Sequence, residues 1–156
     1  MTTAQVESFV TTVGGTREAI VHAPSTGGGL PVVALVHGSH VHPRHYSRYA
    51  TELAAAGFVV VAPEEQREAM GTRAHFPQQA VVNWVADWAA AEDARDGSPL
   101  AGRIDVQSLL LVGHSMGGGT TLGVVSDTDQ FGLVVDPWSR PAQLRGALVH
   151  GTHNIP

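Results

Sequence analysis

Leu109-Leu110-Leu111-Val112-Gly113-His114-Ser115-Met116-Gly117-Gly118-Gly119 is the stretch from which the rest of the chain is read. The unbroken apolar run at its start fits a strand covered on both faces. The glycine-rich turn after it leads into a helix through Thr121-Leu122-Gly123-Val124-Val125. Gly113 to Gly117 carries a G-x-S-x-G pattern in the strand–turn–helix setting that the pattern requires. The glycines have a steric reason. A serine on a sharp, strained turn tolerates neighbours two positions before and two after only if they lack side chains. That turn lifts the Ser115 Oγ above the sheet and aims the unpaired N–H groups and positive dipole end of the helix at a reacting carbonyl oxygen. Ser115 is therefore the candidate nucleophile, and the Met116 N–H one oxyanion donor. A phosphate-cradling G-x-x-x-x-G-K-[ST] loop is excluded, because the chain has no lysine. A dinucleotide-binding G-x-G-x-x-G does not fit, because His114 and Ser115 occupy its turn.

Upstream, Val32 to Val36 and Phe58 to Ala62 are two more apolar runs that read as buried strands. Between them, Pro43 to Ala56 reads as a helix ended by Gly57. Val6 to Val13 and Glu18 to His22, joined across Gly14-Gly15, form an antiparallel hairpin. Glu64 to His75 is polar and is expected to be irregular. Val81, Trp84, Val85 and Trp88 then recur at helical spacing from about Pro77 to Ala94. Leu133 to Val135 and Ala147 to Val149 are two further short strands. Strands alternating with helices predict an α/β fold, a three-layer α/β/α sandwich whose sheet is mostly parallel and preceded by the hairpin.

The 156 residues, 43% hydrophobic and without cysteine, suit one domain spanning 1–156 with neither a disulfide framework nor thiolate chemistry. The net charge of -5 and the scattered arginines leave no basic stripe for a nucleic acid. No basic-then-apolar leader opens the chain and no apolar run reaches membrane-spanning length, so the expected location is cytoplasmic, without a membrane span.

The second oxyanion donor is expected in the loop after Val36, where His37-Gly38-Ser39 stands, and the Ser39 N–H is the candidate. The Ser39 hydroxyl has the alternative of capping the helix near Pro43. At this point the chain resembles an α/β-hydrolase, through the hairpin, His37-Gly38, Gly57 to Pro63 and Gly113 to Gly118. Within that superfamily it is similar to the esterase groups around platelet-activating-factor acetylhydrolases, chlorophyllases, and cutinase and dienelactone hydrolase relatives. The resemblance implies cleavage of small ester substrates through an acyl-enzyme, with no cofactor.

A serine nucleophile needs a base, and an acid to orient it, in the order Ser, Asp, His. Asp136 ends the strand Leu133 to Val135, and Val135-Asp136-Pro137-Trp138 is similar to the segment that bears the acid in acetylhydrolase and chlorophyllase relatives. Many other α/β-hydrolases carry that acid one strand later, where this chain has His150-Gly151-Thr152-His153-Asn154, with an amide in place of the carboxylate. Only His150 and His153 follow Asp136, and the family places its base after a further helix and strand. The resemblance therefore covers the first part of such a domain, with the last strand, last helix and base-bearing loop expected to be missing.

Two rival functions stand beside this one. His40-Val41-His42-Pro43-Arg44-His45 has the H-x-H-x-x-H spacing of zinc hydrolases, in which imidazoles hold a metal that activates water. Against it, Arg44 brings a positive charge where a ligand carboxylate would stand. The other rival is a non-catalytic relative that acts by association. His40, His42, His75 and Trp138 are expected as neighbours of the substrate pocket.

Overall fold

The computed structural model describes residues 5–69, 71–129 and 136–152. Its first elements follow from β-prone residues interrupted by glycine. β1 (Val6–Val13) and β2 (Arg17–Pro24) pair antiparallel, Val6 opposite Pro24 and Val13 opposite Arg17. Gly14 makes the turn at φ 53°, and a Cβ there would meet the Trp84 ring, so the hairpin tip is pressed onto the helix that carries Trp84.

The apolar runs become β3 (Leu30–Val36), β4 (Val59–Pro63) and β7 (Ile104–His114), with β8 (Leu144–His150) outermost. The six-stranded sheet runs in the order β1-β2-β4-β3-β7-β8. β2 pairs antiparallel with β4, while β4, β3, β7 and β8 are parallel neighbours. The expected helix from Pro43 to Ala56 opens as a 3₁₀ turn, Pro43–Tyr46, and continues as α1 (Ser47–Ala55). Gly57 stops it at φ 104°, a conformation that costs glycine little. α2 (Val81–Ala94) and α3 (Met116–Ser126) follow.

Alternation of side chains across the strands divides the core into two faces. Val21, Val32, Ala34, Val59, Val61 and Leu111 meet α2 and α3 through Val82, Val85, Trp88 and Val124. On the other face Val33, Leu35, Val60 and Ala62 meet Ala50 and Ala54 of α1. Each fully buried valine or leucine contributes about 1.5–3 kcal/mol, so the paired faces hold the sheet edge rigid beneath the site. This is a three-layer α/β arrangement, with helices on both faces of a mostly parallel sheet.

One expectation needs amending. Glu64 to His75 is not irregular: β5 (Gln66–Ala69) and β6 (Thr72–His75) pair as a second, separate hairpin. Its buried positions are filled by Arg67 and Ala69, and the Arg67 guanidinium is buried by donating to the carbonyls of Phe76 and Pro77. A strand whose inward residue is a hydrogen-bonded arginine carries no apolar alternation to read. The expected strand Leu133 to Val135 lies outside the described residues, and the described neighbour of β7 on its outer side is β8. Among the described residues no helix is long and apolar enough to cross a membrane.

Candidate active site

β7 delivers the chain to Ser115, and the residue bends it sharply. Ser115 has φ 54° and ψ −122°, far outside the regions open to a side-chain-bearing residue at ordinary cost. Its N–H donates to the His150 carbonyl at 2.9 Å, and its own carbonyl accepts from Gly118 N at 2.9 Å, which starts α3. The glycines around it have no room for side chains. A Cβ at Gly113 would run into the Gly117 carbonyl, and one at Gly117 into the carbonyls of Val36 and His37. The turn is thus wedged against the end of β3. Met116 opens α3, where an N–H has no acceptor within the helix.

The loop after β3 lies against the same turn. A Cβ on Gly38 would meet the Ser115 Cβ at 3.3 Å, His114 Nδ1 at 3.1 Å and Tyr46 Oη at 3.3 Å. The Gly38 N–H donates to Tyr46 Oη at 2.9 Å, and Tyr46 Oη is 2.8 Å from His114 Nδ1. Tyr46 therefore ties the loop to the residue before Ser115, a link that spacing alone did not reveal. Burial pushes the Tyr46 phenol up, against the lowering by the Gly38 N–H, so the hydroxyl keeps its proton. Ser39 follows in this loop. Its hydroxyl pairs with His40 Nδ1 at 2.7 Å, and the cap of the 3₁₀ turn is His42, whose Nδ1 accepts from Arg44 N. The Ser39 hydroxyl is thus not the helix cap.

On the α1 side of β7, Tyr46, Tyr49, Val112, His114, Leu148 and His150 line a cavity of about 390 Å³. The imidazoles of His114 and His150 stack there with centroids 5.6 Å apart. Among the described residues, no imidazole is hydrogen-bonded to the Ser115 hydroxyl. His153 lies outside them.

Asp136 is held elsewhere. Its carboxylate accepts from Arg17 at 2.6 Å and lies 3.4 Å from the Gln78 amide nitrogen, while its N–H donates to Gln78 Oε1 at 2.9 Å. Arg17 also donates to Glu65 at 2.6 Å, and its guanidinium lies 3.9 Å over the Trp84 ring. Arg17 starts β2, which in the sheet order stands three strands from β7. Glu65, which no motif singled out, is the buried carboxylate of this cluster; desolvation pushes its carboxyl up, against the lowering by Gln78 and Arg17. Trp138 donates to Asp129 and packs on the core beneath α2 and α3 rather than against the turn at Ser115.

The three imidazoles of the H-x-H-x-x-H segment also separate. His40, at φ 61°, sets its ring edge-on to Phe76 with centroids 5.0 Å apart, and His45 is exposed on the 3₁₀ turn. Only His42 turns inward, to Glu64 and His75. His37, 2% exposed, packs behind them edge-on to His75, and burial lowers its pKa to about 4.

The chain is 24% identical, over an alignment of 162 residues, to the platelet-activating factor acetylhydrolase of Cavia porcellus, covering 74% of this chain and 37% of that protein. It therefore spans little more than a third of that relative's length. The Chlorophyllase family is matched over residues 1–134, which takes in both hairpins, the parallel strands β4, β3 and β7, and the whole Ser115 turn. The chain belongs to the Chlorophyllase family.

Proposed function

We propose that this chain is the nucleophile-bearing part of a serine hydrolase that cleaves carboxylic esters. The single observation that carries the reading is Ser115 at φ 54° and ψ −122° between a buried strand and a helix, with glycines wedged on either side. Strain of this kind costs about 1–3 kcal/mol and persists where a site needs the geometry. Membership of the Chlorophyllase family and the likeness to an acetylhydrolase support the same class of chemistry.

The Ser115 Oγ attacks the acyl carbon, the Oγ proton passes to a base, and the carbonyl electron pair moves onto oxygen. The Met116 N–H, at the positive end of α3, and the Ser39 N–H, in the loop held by Tyr46, bind that oxyanion. Collapse breaks the ester C–O bond, and the leaving alkoxide takes the proton; water then cleaves the acyl-enzyme by the same route. Asp136 enters as the carboxylate that orients the base; Arg17 and Gln78 both meet its Oδ2, and Oδ1 is the oxygen that would accept from an imidazole. Substrates are small esters; no metal and no cofactor take part in the proposed step.

A fluorophosphonate probe tests this. The expected result is covalent labelling of the folded chain that disappears in Ser115→Ala, together with p-nitrophenyl acetate hydrolysis that a chelator does not affect. Labelling that survives Ser115→Ala overturns the assignment. No labelling of a folded chain favours the association module, for which the pairing of Asp136 with Arg17 and Gln78 is the supporting observation.

A further inference from the structure

We propose that His42, Glu64 and His75 form a binding site for a divalent transition-metal ion of the zinc type, independent of the chemistry at Ser115. His42 Nε2 lies 3.2 Å from Glu64 Oε2 and His75 Nε2 lies 3.0 Å from Glu64 Oε1. One ligand atom from each residue falls within 4.8 Å of the other two. In a tetrahedral site with metal–ligand bonds of about 2.0–2.1 Å, ligand atoms stand about 3.4 Å apart, so atoms that lie within 4.8 Å close by at most about 1.4 Å. Two imidazoles and one carboxylate leave a fourth position for water, and they carry one negative charge against the two positive charges of the ion. Side-chain exposures of 28%, 21% and 18% leave the cluster open on one side for the ion to reach it.

The three residues come from separate segments, and the backbone fixes each. Glu64 follows β4, and its N–H donates to the Glu18 carbonyl at 2.7 Å. His75 ends β6, and its carbonyl accepts the His40 N–H at 2.8 Å, so the loop that carries His42 is tied to that hairpin before any ion binds. Gln66 donates to Glu64 Oε1 at 2.7 Å and orients the carboxylate. His37 is a wall and not a ligand: its Nδ1 is bonded to the Gly38 carbonyl and its Nε2 faces the Glu65 N–H.

Coordination costs the hydrogen bond between His75 Nε2 and Glu64 Oε1, and one more at His42. A neutral imidazole that binds through Nε2 carries its proton on Nδ1. His42 Nδ1 now accepts from Arg44 N at 3.0 Å, so this capping bond is given up and His42 becomes the weakest of the three ligands. The bound ion staples the loop after β3 to the β5–β6 hairpin, two strands from β7, and is a clamp on that rim rather than part of the reaction.

The test is calorimetric titration of zinc chloride into the metal-free full chain, with Co²⁺ as a spectroscopic substitute. One equivalent is expected to bind, with affinity falling at least about tenfold in His75→Ala and Glu64→Gln, less in His42→Ala, and not at all in His45→Ala or Ser115→Ala. Because an alanine variant can lose its fold, the Co²⁺ form of the unmodified chain supplies a second readout: visible bands of a four-coordinate ion and paramagnetically shifted ring protons from two imidazoles. Absence of stoichiometric uptake, equal affinity in His75→Ala, or a Co²⁺ spectrum without imidazole signals overturns the proposal.

Discussion

The turn at Ser115 and the imidazole rim two strands away share one edge of the sheet, yet they are held in opposite ways. At the turn, backbone lies on backbone: Gly113 and Gly117 bring α3 against the carbonyls at the end of β3, with no side chain between. At the rim, His37, His42 and His75 meet through ring contacts and through Glu64. The difference teaches that the turn is sensitive to volume, while the rim is built from groups that respond to pH and to cations.

The strongest way to break that contrast is to add a single methyl group to the turn. Gly117→Ala places a Cβ in the carbonyls of Val36 and His37, both of which belong to or directly follow a central strand that cannot shift cheaply. Overpacking costs typically about 1–3 kcal/mol, and a backbone collision sits at or above the top of that range. Urea unfolding is expected to show a loss of about 3 kcal/mol or a chain that does not fold. His45→Ala, on the exposed 3₁₀ turn, is expected to change stability by less than about 0.5 kcal/mol. An unchanged unfolding midpoint in Gly117→Ala removes the volume-sensitive half of the comparison.

A proton is the corresponding probe of the rim. Desolvation lowers the His37 pKa from 6.5 to about 4, with the Gly38 carbonyl and Glu64 opposing the shift and His75 and His42 adding to it. Between pH 6.5 and about 4 the unfolded chain binds a proton at this residue that the folded chain does not. Stability from His37 is therefore complete above pH 6.5 and drains away as pH falls through that window. From pH 7 to pH 5 the loss is on the order of 2 kcal/mol, since one pKa unit is worth about 1.4 kcal/mol. Glu65, whose carboxyl is pushed up by burial, works in the opposite sense, because its folded form takes up a proton first as pH falls. Comparing His37→Gln with the unmodified chain cancels that term. With a chelator present, the variant is expected to lose about 2 kcal/mol less than the unmodified chain over the same interval. Equal slopes for the two proteins mean that His37 titrates normally and that the rim is not the pH-responsive region.

The same two regions mark how far the chain could be read without coordinates. The strands, the first hairpin, all three helices and the Ser115 turn are written in contiguous residues, as apolar runs, a helical stripe on α2 and glycines at fixed offsets. Local steric rules act over a few residues, so they are visible there. The rim is assembled from positions 37 to 75, and its meaning depends on pairing between the loop after β3 and a hairpin that has no apolar alternation. The contiguous H-x-H-x-x-H segment drew attention to His40 and His45, whereas the partners of His42 are Glu64 and His75. The partners of Asp136 were not legible for a similar reason. Its place after an apolar run is read from adjacent residues, whereas Arg17 and Gln78, which bond it, are 119 and 58 residues away.

The smallest expected effect is also the one that ties the turn's shape to its purpose. Ser115 is held at φ 54° and ψ −122° although nothing hydrophobic is gained by placing a side chain there. Glycine adopts that region without the Cβ clash, so Ser115→Gly should release part of a strain of about 1–3 kcal/mol. Against this stands the greater freedom of glycine in the unfolded chain, which costs about 0.5–1 kcal/mol. The balance is a gain of about 1 kcal/mol, seen as a rise of a few degrees in Tm, in a variant that has lost its hydroxyl. A gain sharpens the contrast, because it means that the turn spends stability to present Oγ, as a nucleophile's setting should. A loss means that the Ser115 side chain is itself part of the packing, and the case for a residue kept there for its chemistry weakens accordingly.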